Sequence, residues 1–117
     1  MAVAGGLAPW ALGTDTGGSV RLPASFCGIT ALKTTIGRIP TDGIMPLSLT
    51  LDTVGPMARS VADVSLLYSA MLPSSGNRIA QLPCTDNISS LRLGRIAQVE
   101  RDGVGAEVLD AYDEAIE

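Results

Sequence analysis

The sequence predicts an α/β protein, on three observations. An apolar run from Leu7 runs into a glycine-rich turn and then a stretch able to start a helix. Ser60 to Met71 has helical spacing behind a capping residue. A third apolar run, Leu91 to Val99, precedes a second helical repeat. Strands alternating with helices are the pattern of a layered α/β architecture. With 117 residues the chain is long enough for one domain and too short for two; such a domain buries roughly two-thirds of the surface its unfolded chain exposes.

Taken in order, Met1 to Gly6 reads as the tail of a helix ending in glycine, and Leu7 to Gly13 as a short apolar strand. After the turn, Ser19 to Leu32 is apolar with small residues. Pro23 limits any helix there to a start near Ser19, where the early amides lack intrahelical partners. From Thr34 to Pro56 the repeated glycines and prolines permit only short strands and turns. Ile36, Ile39, Ile44, Leu47, Leu49 and Leu51 nevertheless call for burial, so an ordered loop is expected.

Ser60 begins the clearest helix, with Asp63 in its first turn and Val61, Val64, Leu67, Tyr68 and Met71 at helical spacing until Pro73 ends it. Ser74 to Ser90 is polar and turn-rich, a surface excursion. LRLGRIAQV (91–99) predicts a strand, and Ala106 to Glu117 a helix with Val108, Leu109, Tyr112 and Ile116 on one face. Both ends of the chain read as cuts through structure.

Composition narrows the function. The formal charge is −4, no Lys/Arg cluster is present, and the aromatic residues are only Trp10, Phe26, Tyr68 and Tyr112. A phosphate backbone needs a basic face, and base stacking needs aromatic platforms, so no nucleic-acid partner is expected. The apolar start has no Lys or Arg before it and is broken by Gly5, Gly6 and Pro9, unlike a signal peptide. No segment approaches the roughly 20 apolar residues that span a bilayer, so no membrane partner is expected and the chain reads as cytoplasmic. In that compartment Cys27 and Cys84 stay reduced, as two small buried hydrophobes.

The stretch GTDTGGSVRLP (13–23) crowds a carboxylate, glycines, a hydroxyl and an arginine together in a chain without histidine. As a phosphate cradle it fails at Ser19 and Val20, where a P-loop needs Lys and Ser/Thr. Asp15-Thr16-Gly17 matches the triplet of an aspartic protease that could dimerise around a shared proton, but such proteins are almost wholly β. A third reading makes Ser19 a nucleophile beside successive backbone amides, which glycines leave open to a carbonyl substrate. Against it stands the simpler possibility that Ser19 caps a helix.

The run ALGTDTGGSVRLPASFCGITALKTTIGRIPTDGI, continued by LDTVGPMARSVADVSLLYSAM, resembles the amidase signature family of Ser-cisSer-Lys amide hydrolases from Val3 to about Leu72. The resemblance implies a single partial domain over 1–117: a signature core (1–72), the excursion (73–90), and a strand plus helix (91–117). It implies an α/β/α sandwich with a mixed sheet, truncated on the N-terminal side and on the C-terminal side. Position by position it makes Ser19 the acyl-forming nucleophile and assigns the amides of Thr16, Gly17, Gly18 and Ser19 to the oxyanion hole. Asp15 and Arg21 become a pair that stiffens the turn. No cofactor and no metal are implied.

The family's base is a lysine acting through a second serine, both upstream of the nucleophile, at positions this chain does not contain. Lys33 matches a different position, in a G-L-K-P-T segment that reads ALKTT here, with Ala31 and Thr34 as departures. The expectation is an amidase that hydrolyses a carboxylic amide C–N bond through a serine acyl-enzyme. This chain supplies only the nucleophile and oxyanion hole, and alone is nearly inactive. Leu22, where the glutamine-dependent tRNA amidotransferase branch tends to carry Gln, tilts the substrate toward a small-molecule amide. The alternative is a non-catalytic scaffold or association module. Either way, exposed sheet edges and apolar faces predict self-association or a partner chain.

Overall fold

The computed structural model describes residues 1–73, 92 and 94–116. Contacts group the chain into two compact units, Met1–Cys84 and Thr85–Glu117, and their boundary falls inside the stretch read from the sequence as a surface excursion. Most of that excursion, and Cys84 with it, lies outside the described residues.

In the first unit, the expected helix tail is one turn closed by glycine. Gly6 adopts φ 74°, its N–H donates to the Val3 carbonyl at 3.2 Å, and the Leu7 N–H donates to the Ala2 carbonyl at 2.9 Å. This is the bond pair with which a left-handed glycine finishes a helix. Strand β1 (Trp10–Asp15) therefore starts later than the predicted Leu7. The amides of Leu7 and Ala8 are engaged in closing the turn, and Pro9 has none. Arg59 holds the two ends of this segment together, donating to the carbonyls of Val3 at 3.1 Å and Ala8 at 3.3 Å.

Helix α1 (Arg21–Cys27) starts two residues after Ser19 and fills only the first part of the apolar stretch 19–32. Pro23 sits in its first turn as expected, but Gly28, at φ 61°, stops it. Cys27 at its end is half-buried rather than buried. The two-residue strand β2 (Thr30–Ala31) follows, and after a long loop β3 (Thr53–Ala58) runs antiparallel to both others, in the order β1-β3-β2. The sheet of the described residues is thus antiparallel, not mixed: β1 and β2 share a direction, but β3 separates them. Pro56 is tolerated in this central strand because its carbonyl, on the side where its missing N–H would point, faces β2 beyond the end of that short ladder. There it accepts the Leu32 N–H at 3.1 Å.

Gly13 of β1 and Gly55 of β3 stand directly opposite each other. A Cβ on either would lie 3.1 to 3.2 Å from the methyl groups of Val20, and one on Gly55 would collide with the Leu32 carbonyl oxygen. The bare pair lets Val20, which is fully buried, sink onto the sheet. The residue after Ser19 is thereby anchored.

Helix α2 (Val61–Met71) is capped as predicted. The Ser60 hydroxyl accepts the Asp63 N–H at 3.1 Å and donates to its carboxylate at 2.7 Å. Leu72 is extended ahead of Pro73 and ends the helix. The helix packs on β3 and β2. Val64 is buried and Leu67, Tyr68 and Met71 are half-buried, whereas Val61, predicted for the same stripe, is exposed. The loop before β3 is ordered by turns at Thr35–Arg38, Thr41–Ile44 and Ser48–Asp52, yet of its apolar residues only Ile39 is buried. Ile44 is half-buried, and Ile36, Leu47, Leu49 and Leu51 are exposed, because no described element covers them.

The second unit contains a 3₁₀ turn (Gln98–Arg101) and helix α3 (Ala106–Glu114). The strand predicted for LRLGRIAQV is absent from its described residues: 92 and 94–97 are irregular, and 91 and 93 lie outside the description. A strand exists only where a neighbour completes its ladder, and no described residue does so here. Leu109, Tyr112 and Ile116 are half-buried and Val108 is exposed. Arg101 lies 4.8 Å over the Tyr112 ring and pairs with Asp113 at 3.1 Å. Among the described residues no helix is long and apolar enough to cross a membrane.

Candidate active site

The end of β1 delivers Asp15 to the base of the glycine-rich turn, with its side chain fully shielded from solvent. Its two carboxylate oxygens collect five donors. Oδ1 takes the Gly18 N–H at 2.8 Å and the Arg21 Nη2 at 3.0 Å; Oδ2 takes the Val20 N–H at 3.2 Å, the Arg21 N–H at 3.3 Å and the Arg21 Nε at 3.1 Å. The guanidinium engages both oxygens, the strong form of this pair. The Arg21 side chain, then the amides of Val20, Gly18 and Arg21, hold the Asp15 carboxyl well below the usual carboxylate range, against the opposing pull of burial. Thr53 adds a bond from its hydroxyl to the Asp15 carbonyl at 3.1 Å.

Around this anchor the turn divides. Gly18, Val20 and Arg21 are held by Asp15, and Gly18 takes φ 131°, a conformation that favours glycine. The Gly18 amide, assigned by resemblance to the oxyanion hole, is therefore engaged by Asp15. The amides of Thr16, Gly17 and Ser19 take no protein acceptor among the described residues. Ser19 is exposed. Its hydroxyl does not cap the helix, since the N-cap of α1 is Val20 and no side chain bonds there.

Thr16 donates its hydroxyl to Asp52, whose other oxygen accepts the amides of Leu47 at 2.8 Å and Ser48 at 2.9 Å. The Thr16 hydroxyl, then the Ser48 amide, hold the Asp52 carboxyl below its ordinary range. Sequence reasoning assigned Asp52 no role, although it stands in the quoted LDTVGPM motif; Leu47 and Ser48 are 5 and 4 residues away, but Thr16 is 36 away, a closure that only the fold brings about. Lys33 donates to the Thr34 carbonyl at 3.0 Å. Thr34 bonds the Val54 carbonyl at 2.8 Å and so ties the loop to β3. Among the described residues no three His, Cys, Asp or Glu side chains gather where they could hold a metal ion.

The family model described as Amidase matches residues 1–117. The chain belongs to the amidase family. It is 39% identical over 122 residues to a glutamyl-tRNA(Gln) amidotransferase subunit of Nitratiruptor sp., covering 99% of this chain and 27% of that protein. It is 43% identical over 117 residues to the subunit of the same name from Rubrobacter xylanophilus, covering 92% and 24%. Among solved structures, an amidase family protein from Bacillus anthracis matches with a TM-score of 0.60 at 46% identity, over 62% of this chain and 14% of that one. The native peptide amidase of Stenotrophomonas maltophilia matches at 0.59 and 42%, over 71% and 18%. The chain thus spans about a quarter of the length of the curated relatives it matches.

Proposed function

We propose that residues 13–21 are the acylating turn of an amide-cleaving enzyme. Ser19 Oγ attacks the carbonyl carbon of a carboxylic amide and its proton passes through a base to the leaving nitrogen. The C–N bond breaks to release an amine or ammonia, and water then hydrolyses the ester on Ser19. The amides of Thr16, Gly17 and Ser19 are the donors left to stabilise the oxyanion. The observation that carries this reading is the exposed Ser19 hydroxyl, free of a capping role, on a turn whose backbone is fixed by a buried carboxylate. Asp15 serves as support and takes no part in proton transfer, since its carboxyl is held ionised by Arg21.

The base comes from outside the turn. The only lysine of this sequence, Lys33, is engaged with the carbonyl of Thr34, and in the family that task falls to a lysine and a second serine. Loss of the base costs on the order of 10⁴- to 10⁶-fold in rate in a serine hydrolase, so the isolated 117 residues are expected to turn over amides very slowly. Leu22, exposed beside Gly18, stands where the tRNA amidotransferase branch tends to carry Gln, and this favours a small-molecule amide. A second reading, favoured by the names of the sequence relatives, places the same acylation in an amidotransferase working with a partner chain. The exposed apolar residues are compatible with a partner in either case.

A fluorophosphonate probe tests acylation. Applied to the protein in the assembly in which its host makes it, the probe is expected to form an adduct that peptide mass analysis locates on Ser19 and that Ser19→Ala abolishes. An unlabelled Ser19 there would leave the scaffold alternative. Ammonia or amine released without any acceptor present would separate a hydrolase from an amidotransferase.

A further inference from the structure

We infer that Asp52 is a positioning residue for the oxyanion-stabilising half of the turn, a role that rests on the acylation reading above. The turn has two halves with separate supports. Every bond made by the Asp15 carboxylate goes to Gly18, Val20 or Arg21; none reaches Thr16 or Gly17. The half that Asp15 holds has its Gly18 amide already engaged. The Thr16–Gly17 half, which carries two of the three amides free to meet a substrate oxygen, is tied by the Thr16 hydroxyl, which ends on Asp52, and just before it by the Thr53 hydroxyl on the Asp15 carbonyl.

Asp52 is suited to this because its two oxygens face two segments. Oδ1 accepts from Thr16, while Oδ2 accepts the amides of Leu47 and Ser48. A group that must accept on both oxygens at once has to be a carboxylate, since the amide of Asn presents one acceptor and one donor. Its backbone is fixed as well. The Asp52 N–H donates to the Ser48 carbonyl at 3.0 Å, and the next residue, Thr53, opens β3 opposite Asp15. Asp52 therefore reports to Thr16 where the loop and the central strand stand. With Thr41, Ile44, Pro46, Ser48 and Leu49 it also lines a surface cavity.

The test is backbone order measured by ¹⁵N relaxation on the 117-residue chain. In the unmodified chain Thr16 and Gly17 are expected to be as ordered as Gly18, near the ~0.85 order parameter of rigid backbone. In Asp52→Ala, which leaves Thr16 no group to bond in either direction, they are expected to fall below about 0.6, with Gly18, Val20 and Arg21 unchanged. Thr16→Val, which removes the hydroxyl but leaves the Asp52 bonds to Leu47 and Ser48, is expected to loosen the same two residues. If Thr16 and Gly17 stay as ordered as Gly18 in both variants, or if Gly18 to Arg21 loosen with them, the inference is wrong.

In the assembled protein each variant is expected to slow fluorophosphonate labelling of Ser19 by about 10²-fold, the size of losing one oxyanion donor. The double variant should be no slower than either single one; additive losses would count against a shared pathway. An unlabelled Ser19 in the unmodified protein would remove the acylation reading, while the relaxation comparison would still decide what Asp52 positions.

Discussion

The turn at 15–21 and the loop at 36–51 lie in the same unit and are ordered by opposite means. The turn gathers five donors on one buried carboxylate and seats Val20 on two glycines. The loop is held by short backbone turns and by Asp52, and it leaves Met45, Leu47 and Leu49 exposed. The difference teaches that polar satisfaction can fix a backbone locally, whereas apolar residues become ordered only where something covers them. It also separates what this unit needs for its own stability from what it presents outward.

Asp15→Ala is expected to break the turn side of this contrast and to have the largest effect. It leaves the amides of Gly18 and Val20, both buried residues, without their acceptor, a loss on the order of 3 kcal/mol, measurable as a lowered urea midpoint near neutral pH. Acid should remove the same contribution. The Asp15 carboxyl lies below its ordinary 3.8 in the folded chain, so its stabilisation is complete above that ordinary value and drains away as pH falls through it toward the folded value. The midpoint should hold from neutral pH to about pH 5 and then decline. Asp15→Ala should lack most of that decline, the remainder belonging to Asp52, which is shifted in the same direction.

Gly55→Ala comes next, because its Cβ collides with the Leu32 carbonyl oxygen and crowds Val20. Overpacking of this kind costs about 1–3 kcal/mol, and thermal unfolding should show it. The smallest effect belongs to the loop. Replacing both Leu47 and Leu49 with Ser should change stability by less than about 0.5 kcal/mol, since both side chains already face solvent. A larger loss in denaturant would mean that these leucines are packed in the chain, and the contrast between turn and loop would weaken.

Legibility in the sequence followed the range of the interactions involved. The Ser60 cap and the Pro73 stop were readable because cap, acid and proline lie within one or two helical turns of what they control. The Gly6 closure was readable for the same reason. Sequence reasoning placed only the start of α1, near Ser19, and left its end at Gly28 open. The run 91–99 looked like a strand, but its described residues form none, since apolar alternation names a strand only when a partner supplies the ladder. Ser19 was selected by motif, not by geometry.

What the sequence alone determined is the vocabulary of the site: a carboxylate, a hydroxyl, glycines and an arginine in one short stretch, inside a motif long enough to name the family. Tertiary structure decided how those groups divide. It placed Gly13 against Gly55 so that Val20 could anchor the turn, gave the Gly18 amide to Asp15, and brought Asp52 across 36 residues to Thr16. The physical reason is that a residue's chemistry is carried by its own atoms, whereas the partner that engages it or leaves it free is set by long-range packing, and a local stretch of sequence does not encode that.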